Sequence, residues 1–386
     1  MSSVLTTRTF NFSAPKNSKC DILVIAGEHS GDEQAARMIA SALKKNPDLR
    51  VCAFGGEQLA KVGAQLLFDM TSFSVVGFVE VVKNYSFFKK LLEAVADWIC
   101  QYKPKKICFV DYPGFNLHLA KMLKERGVSV KGGGNIKLFY YISPQIWAWK
   151  AGRRFKMANL LDSLATIFPF EPKCYADTTL PAKFVGHPFL SEEYNPPVEY
   201  DPNGEILLLS GSRTIAVSRI LPIMVDALRL LPNERAVVIY PTQAIKEKID
   251  FVLAKNKDVA GRIRVIANSS EKIAIKGAMM SSGTMSLSCS LEGIPGAIIY
   301  KANAFTYFLG RMLVNIKYLS IANIILDKPA WQEFIQFDAS PKKIAKYMQA
   351  CLTPEARKTF CDYANELKNV LQAPAEQGAA DWLLGE

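Results

Sequence analysis

Short apolar runs rich in β-branched residues alternate along the chain with longer segments whose apolar positions recur every three or four residues. Compact apolar runs mark buried strands and the longer period marks amphipathic helices, so the alternation predicts β-α-β units around parallel sheets. In the first half "CDILVIAG" leads into a helix predicted from about Asp32 to Lys45, "RVCAFGG" into a second, and "KICFVD" into "FNLHLAKMLKERG"; "IKLFYYIS" follows. Each run ends in Gly, Ser or Asp. The alternation restarts at "EILLLSGSR", continues through "ILPIMVDALRLL", "AVVIYPTQ", "RIRVIANSS" and "GAMMSSGTMSLSCSLEG", and closes with "GAIIY". Between the halves, "EEYNPPVEYDPNGE", Glu192 to Glu205, has the Pro-rich composition of a linker. From Ser340 onward the pattern is helical and charged, free to cap either half or to cross back to the first. The predicted organisation is an extension over 1–20, an α/β domain over 21–191, a linker over 192–204, a second α/β domain over 205–339 and C-terminal helices over 340–386.

Composition narrows the class. A chain of 386 residues that is 49% apolar buries a large core and suits two domains better than one. No apolar window approaches membrane-spanning length, and the opening "MSSVLTTRTFNFSAPKNSK" lacks the basic head and apolar middle of a secretory signal, so a cytosolic chain is expected. Eight scattered cysteines, none in a C-x-x-C pair, read as reduced thiols, and three histidines argue against a multi-histidine metal site. A net charge of +11 favours a polyanionic partner: nucleic acid, anionic lipid or a phosphorylated metabolite. Without an RNA-recognition signature or a basic block interleaved with aromatics, nucleic acid ranks last.

Ligands of open parallel sheets sit beyond the carboxyl ends of the strands, so the residues just after each run are the candidates for chemistry. Asp111 ends "KICFVD" and is either a general base at a crevice or a cap on the following helix; spacing leaves both open. "AGEHSGD", Ala26 to Asp32, opens a helix with Gly27 and Gly31 for a tight turn and Ser30 or Asp32 as a cap, but does not match a dinucleotide fingerprint. In the second half, "SGSR" (Ser210 to Arg213) and "SSGT" (Ser281 to Thr284) each follow a strand and open a helix. Two such openings suit a diphosphate. "YYISPQIWAWKAGRRFKM" places Trp147 and Trp149 beside Lys150, Arg153, Arg154 and Lys156, which reads first as an aromatic staple with a solvated basic face.

"SVVGFVEVVKNYSFFKKLLEAV", Ser74 to Val95, is unusually apolar for a segment carrying Lys83, Lys89 and Lys90. Val81, Val82, Tyr85, Phe88, Leu92 and Val95 recur at the spacing of a core-facing helix, while Val79, Phe87 and Leu91 fall off that face. This surplus predicts a surface for a membrane.

"AGEHSGD", "VVGFVEV", "VDYPGFN", "YYISPQIWAW", "FPFE", "VGHP", "GSR", "SSGT" and "ANIIL" stand in the order found in the lipid-A-disaccharide synthases, which the chain resembles from about Cys20 to Gln336. The resemblance implies a GT-B α/β fold: two Rossmann-like doubly wound domains facing a cleft, acceptor on the first and UDP-sugar on the second. It implies a transferase joining UDP-2,3-diacylglucosamine to 2,3-diacylglucosamine 1-phosphate with inversion, with no cofactor and no metal. The implied protein is a monomer or homodimer, peripheral on the anionic inner membrane surface of a Gram-negative-type bacterium. Asp111 matches the family's essential aspartate. Gly211, Ser212, Arg213, Ser282, Gly283, Thr284 and Asn323 match donor contacts, and Glu28, Ser30, Asp32, Asn116, Ser143 and Trp147 lie in shared motifs near the acceptor. Phe78, Val79, Val82, Phe87, Phe88 and Leu91 become the expected membrane and acyl-chain surface.

Three acids of the family pattern are replaced: Ala216 follows "SGSR", Ser191 ends "GHPFLS", and Ser288 stands where a glutamate holds the nucleotide's ribose. Glu292, one helical turn beyond Ser288, is the candidate replacement. Two alternatives therefore stand: another UDP-sugar enzyme of the same fold, and a lipid- or nucleotide-binding homologue that has lost activity.

Overall fold

The computed structural model describes residues 10–74, 85–192, 194–268, 271–303, 317–373 and 378–385. It divides into two units, one formed by the described residues up to Tyr194 together with those from Leu371, the other by Asn195–Val370.

The first unit carries a seven-stranded sheet in the order β3-β2-β1-β4-β5-β6-β7. Its strands are β1 (Ile22–Ala26), β2 (Val51–Gly55), β3 (Gln65–Asp69), β4 (Lys106–Val110), β5 (Lys137–Tyr141), β6 (Ser163–Thr166) and β7 (Ala182–Phe184), all paired in parallel. Every residue of β1 and β2 is buried, as expected of strands covered by helices on both faces. The chain reverses its direction of sheet growth between β1 and β4, which makes the gap beyond their carboxyl ends a topological switch point.

The helix Tyr85–Tyr102 corrects one expectation. Phe87, Leu91, Val95, Trp98 and Ile99 form its buried face, whereas Phe88 and Leu92 lie half-buried beside it. Phe87 and Leu91 are thus core residues, not lipid-facing surplus. The apolar positions fill two adjacent stripes, and the strongly packed one faces the core beside the sheet, where the ring of Phe10 lies 5.2 Å from that of Phe87. Phe78, Val79 and Val82, with Val81, lie outside the described residues.

The C-terminal segment returns to this unit. The short helix Ala379–Leu384 packs on the helix His29–Lys45: Asp381 pairs with Lys45, Leu383 accepts from Lys106, and the Trp382 indole donates to Ser163 at 2.7 Å.

The second unit repeats the plan with six parallel strands ordered β10-β9-β8-β11-β12-β13. They are β8 (Val198–Leu209), β9 (Ala236–Tyr240), β10 (Ile263–Ala267), β11 (Ile273–Met280), β12 (Gly296–Tyr300) and β13 (Gln332–Ile335). Most of the segment expected to be a linker belongs to β8, because Val198 and Glu199 pair with Ile273 and Ala274 before two register shifts bring Ile206 opposite Gly277. Here the switch point falls between β8 and β11.

Candidate active site

In the first unit the switch point is lined by the turn after β1 and by Asp111, one residue beyond β4. Asp111 and Tyr112 both hold positive φ, 44° and 48°, a conformation that costs non-glycine residues about 1–2 kcal/mol each. Three contacts hold the bend. The Asp111 N–H donates to Tyr141, and the Asp111 carbonyl accepts from the Tyr140 hydroxyl at 2.6 Å and from the Asn116 amide at 2.7 Å. Gly27 makes the bend possible from the other side: a Cβ there would meet the Tyr112 ring at 2.3 Å.

The carboxylate of Asp111 does not cap the helix Pro113–Glu125, whose N-cap is Tyr112 without a side-chain bond. Burial pushes it up to about 6, helped by the negative Glu28 and opposed by the Tyr112 N–H. A base poised near neutrality can take a proton from a hydroxyl without being a weak acceptor.

The other acceptor-side residues divide by what they touch. Glu28 is exposed beside Asp111, and Ser30 is exposed in the first turn of the helix His29–Lys45. Asp32 is buried, its two oxygens accepting from Gly56 (2.7 Å) and Gln58 (2.9 Å), so it anchors the β2 turn and not a ligand. Asn116 is fully buried and serves the Asp111 backbone. Ser143 is buried against the Tyr175 hydroxyl at 2.8 Å. Trp147 is half-buried, edge-on to Phe170 at 5.5 Å. Trp149 and Phe155 are exposed, with Lys150 4.4 Å over the first ring and Arg154 4.2 Å over the second, in keeping with a solvated basic face.

In the second unit the two anion turns meet. Met280 pairs with Leu209, Ser281 donates to Leu209 at 2.7 Å, and a Cβ on Gly211, whose φ is +106°, would lie 3.5 Å from the Ser281 hydroxyl. Ser212, Arg213, Gly283 and Thr284 are exposed at the starts of the helices Thr214–Arg229 and Thr284–Leu291, neither of which has an acid in its first turn. The Gly283 N–H is taken by the Ser286 hydroxyl at 3.3 Å, and the other N–H groups of the two turns with the Arg213 fork suit an anion.

Two expected donor residues sit elsewhere. Glu292 is the C-cap of the helix Thr284–Leu291, eight positions past Thr284, hence roughly 12 Å along the axis from the anion turn. Ser288, one helical turn before it, is buried in mid-helix. Asn323 is fully buried with both ends of its amide engaged by Trp331 and Glu333.

Two acids escaped the sequence reading. Glu171 closes "FPFE" and is buried near Asp111, whose charge helps push it up to about 8, although burial is the main cause. Glu333 on β13 accepts from Leu319, Ser320 and Asn323, and Leu319 in turn accepts from Ser282 at 2.7 Å. An acid directly after an aromatic-Pro-aromatic run was the only visible signal for the first.

The family described as lipid-A-disaccharide synthetase matches residues 22–380. A lipid-A-disaccharide synthase of Nitrosococcus oceani is 33% identical over 380 residues, covering 95% of this chain and 96% of its own. One from Coxiella burnetii is 32% identical over 342 residues, covering 85% and 88%. Among solved structures, the UDP-GlcNAc 2-epimerase of Neisseria meningitidis bound to UDP-GlcNAc matches with a TM-score of 0.55 at 11% identity, over 94% of this chain and 98% of that one. A glycosyltransferase from Rickettsia africae matches at 0.52 and 13%, over 92% and 94%. At these identities the structural likeness establishes the fold alone, two Rossmann-like units of the GT-B class.

Proposed function

Because the chain belongs to the lipid-A-disaccharide synthase family of hexosyltransferases, we propose that it transfers 2,3-diacylglucosamine from UDP-2,3-diacylglucosamine to the 6-hydroxyl of 2,3-diacylglucosamine 1-phosphate. The observation that supports this most is Asp111, held by a strained turn at the switch point of its sheet with a carboxyl close to neutrality. Asp111 accepts the hydroxyl proton while that oxygen attacks the anomeric carbon. The bond to UDP breaks with its electron pair leaving on the diphosphate, and attack from the opposite face inverts the centre. The N–H that opens the helix at Thr284, with Arg213, stabilises the charge that develops there. Both substrates are lipids, so the enzyme works at an anionic membrane surface as a peripheral protein; no helix among the described residues is long and apolar enough to cross a membrane.

The test is incubation of the purified protein with acylated donor and acceptor, and in parallel with UDP-GlcNAc. Disaccharide and UDP are expected only from the acylated pair; consumption of UDP-GlcNAc without acceptor would replace this reading by an epimerase.

Arg213→Ala is expected to weaken UDP binding about 10–100-fold, the loss of one charge-assisted contact to phosphate. Calorimetric titration checks it, and an unchanged affinity removes Arg213 from the donor site. Glu28→Gln removes the negative charge that raises Asp111. The acidic limb of kcat/KM is therefore expected to move down from about 6, extending activity to lower pH; a limb that stays put shows that Glu28 does not tune the base.

A further inference from the structure

Trp149 and Phe155 are 47% and 51% exposed, two large rings held out from a segment that is otherwise pinned to the core. Ile146, Met157 and Leu160 of the same segment are buried, and Phe155 lies two positions from Met157, about 200° around the helix Arg153–Leu160. The fold thus turns both rings away from the face that it buries. Cations surround them. Lys150 stands 4.4 Å and Arg153 5.6 Å from the centre of the Trp149 ring, Arg154 stands 4.2 Å from that of Phe155, and Lys156 is exposed beside them. Asp177 is taken by the Arg154 fork, at 2.7 and 2.6 Å. Lys150, Arg153 and Lys156 have no carboxylate partner among the described residues. The segment starts where β5 ends, and β5 runs parallel to β4 with Tyr141 opposite Val110, so it leaves the sheet at the same end as Asp111.

We infer that the surface made by Trp149, Lys150, Arg153, Phe155 and Lys156 is where the protein seats on an anionic lipid bilayer, the rings entering the headgroup layer and the cations meeting lipid phosphates. Rings of this kind flanked by Lys and Arg settle at the boundary between headgroups and acyl chains. Each further cation near an anionic surface adds to the attraction, and three of these have no acid of the protein to answer instead. The inference deepens the transferase reading and rests on it for its functional consequence: a bilayer met at this end of the sheet presents a lipid acceptor on the side where Asp111 stands. Nucleic acid suits the surface less well, because a cation already covers one face of each ring and base stacking needs open faces.

The experiment sediments the whole chain with phosphatidylcholine vesicles, with and without phosphatidylglycerol, at low and high salt and in the absence of any sugar substrate. Trp149→Ala with Phe155→Ala removes the rings. Lys150→Asn with Lys156→Gln removes charge, asparagine being chosen because Lys150 holds φ 54°. All four side chains are exposed, so both variants are expected to melt with the native protein. The native protein is expected to partition onto the anionic vesicles and to leave them at high salt. The charge variant should bind about 10–30-fold more weakly and the ring variant about tenfold, each turning over detergent-dispersed donor and acceptor within about threefold of native. The inference is overturned if the native protein ignores anionic vesicles, binds neutral ones equally well, or binds a single-stranded oligonucleotide in their place. Undiminished partitioning by the ring variant overturns it too, since the apolar stretch from Ser74 to Val95 is intact there and would then be the attachment. Partitioning is read without substrate, so a native protein that transfers no sugar loses the transferase reading while the vesicles alone still decide this surface.

Discussion

An Asp111→Asn chain is expected to fold, to bind UDP with native affinity, and to form disaccharide at about a thousandth of the native rate or less, the usual weight of a positioned base. Asparagine is the informative substitution because position 111 has φ 44°, a region that Asn tolerates and Ala does not. The backbone contacts from Tyr140, Asn116 and Tyr141 involve the carbonyl and N–H of residue 111, so they survive the change. Stability gives an independent readout. A carboxyl raised from its ordinary range to about 6 makes folding take up a proton, so its stabilising share is full at low pH and is lost as pH rises through about 6. Asp111→Asn should therefore melt no lower than the native protein at pH 8. Appreciable turnover by this variant excludes Asp111 as the base; a lost UDP affinity or a collapsed melting transition would mean that the residue holds structure.

The strands that position this site could be read from the sequence because they are buried on both faces, and such strands appear as unbroken apolar runs. "ILVIA" and "ICFV" are of this kind, and the residue that ends each run falls beside the switch point. β3 was not visible, since "QLLFD" is nowhere fully buried, and β13, "QEFI", is too short and polar to stand out. The beginning of β8 was disguised by Pro, Asn and Gly, residues that signal a turn but here accompany a bulged pairing with β11. Helical periodicity found the helix Tyr85–Tyr102 and placed its inner face one stripe away, because two adjacent stripes are apolar and only packing decides between them.

The site residues show a different limit. A position after a strand can be read; the partner of a polar side chain cannot, because it comes from another part of the chain. Asp32 stood as a helix cap or a residue near the acceptor until Gly56 and Gln58 supplied its hydrogen bonds. Glu171 carried no local signal beyond its motif because the neighbouring charge that raises it, Asp111, comes from another strand end. Glu292, expected one turn beyond Ser288, is the C-cap of its helix. In each case sequence spacing gave the element, and tertiary contact gave the role.

Asn323→Ala is expected to destabilise the second unit by about 3–5 kcal/mol, a loss large enough to lower UDP binding through the folded fraction. The Asn323 side chain behaves as a backbone mimic: its oxygen accepts from the Trp331 N–H at 2.9 Å, and its amide donates to the Trp331 carbonyl at 2.8 Å and to Glu333 at 2.9 Å. Both it and Trp331 are fully buried. Deleting the amide strands two backbone groups where water cannot replace it, each at a cost of about 1–3 kcal/mol, and removes a donor from a carboxylate. That carboxylate also holds the N–H groups of Leu319 and Ser320, and Leu319 holds the Ser282 hydroxyl. Asn323 is thus linked to the turn at Ser282 through Glu333 and Leu319. Denaturant unfolding combined with UDP titration well below the transition separates the two readings. A lowered midpoint with near-native affinity in the folded fraction marks a clamp, whereas an unchanged midpoint with lost affinity would put Asn323 against the nucleotide.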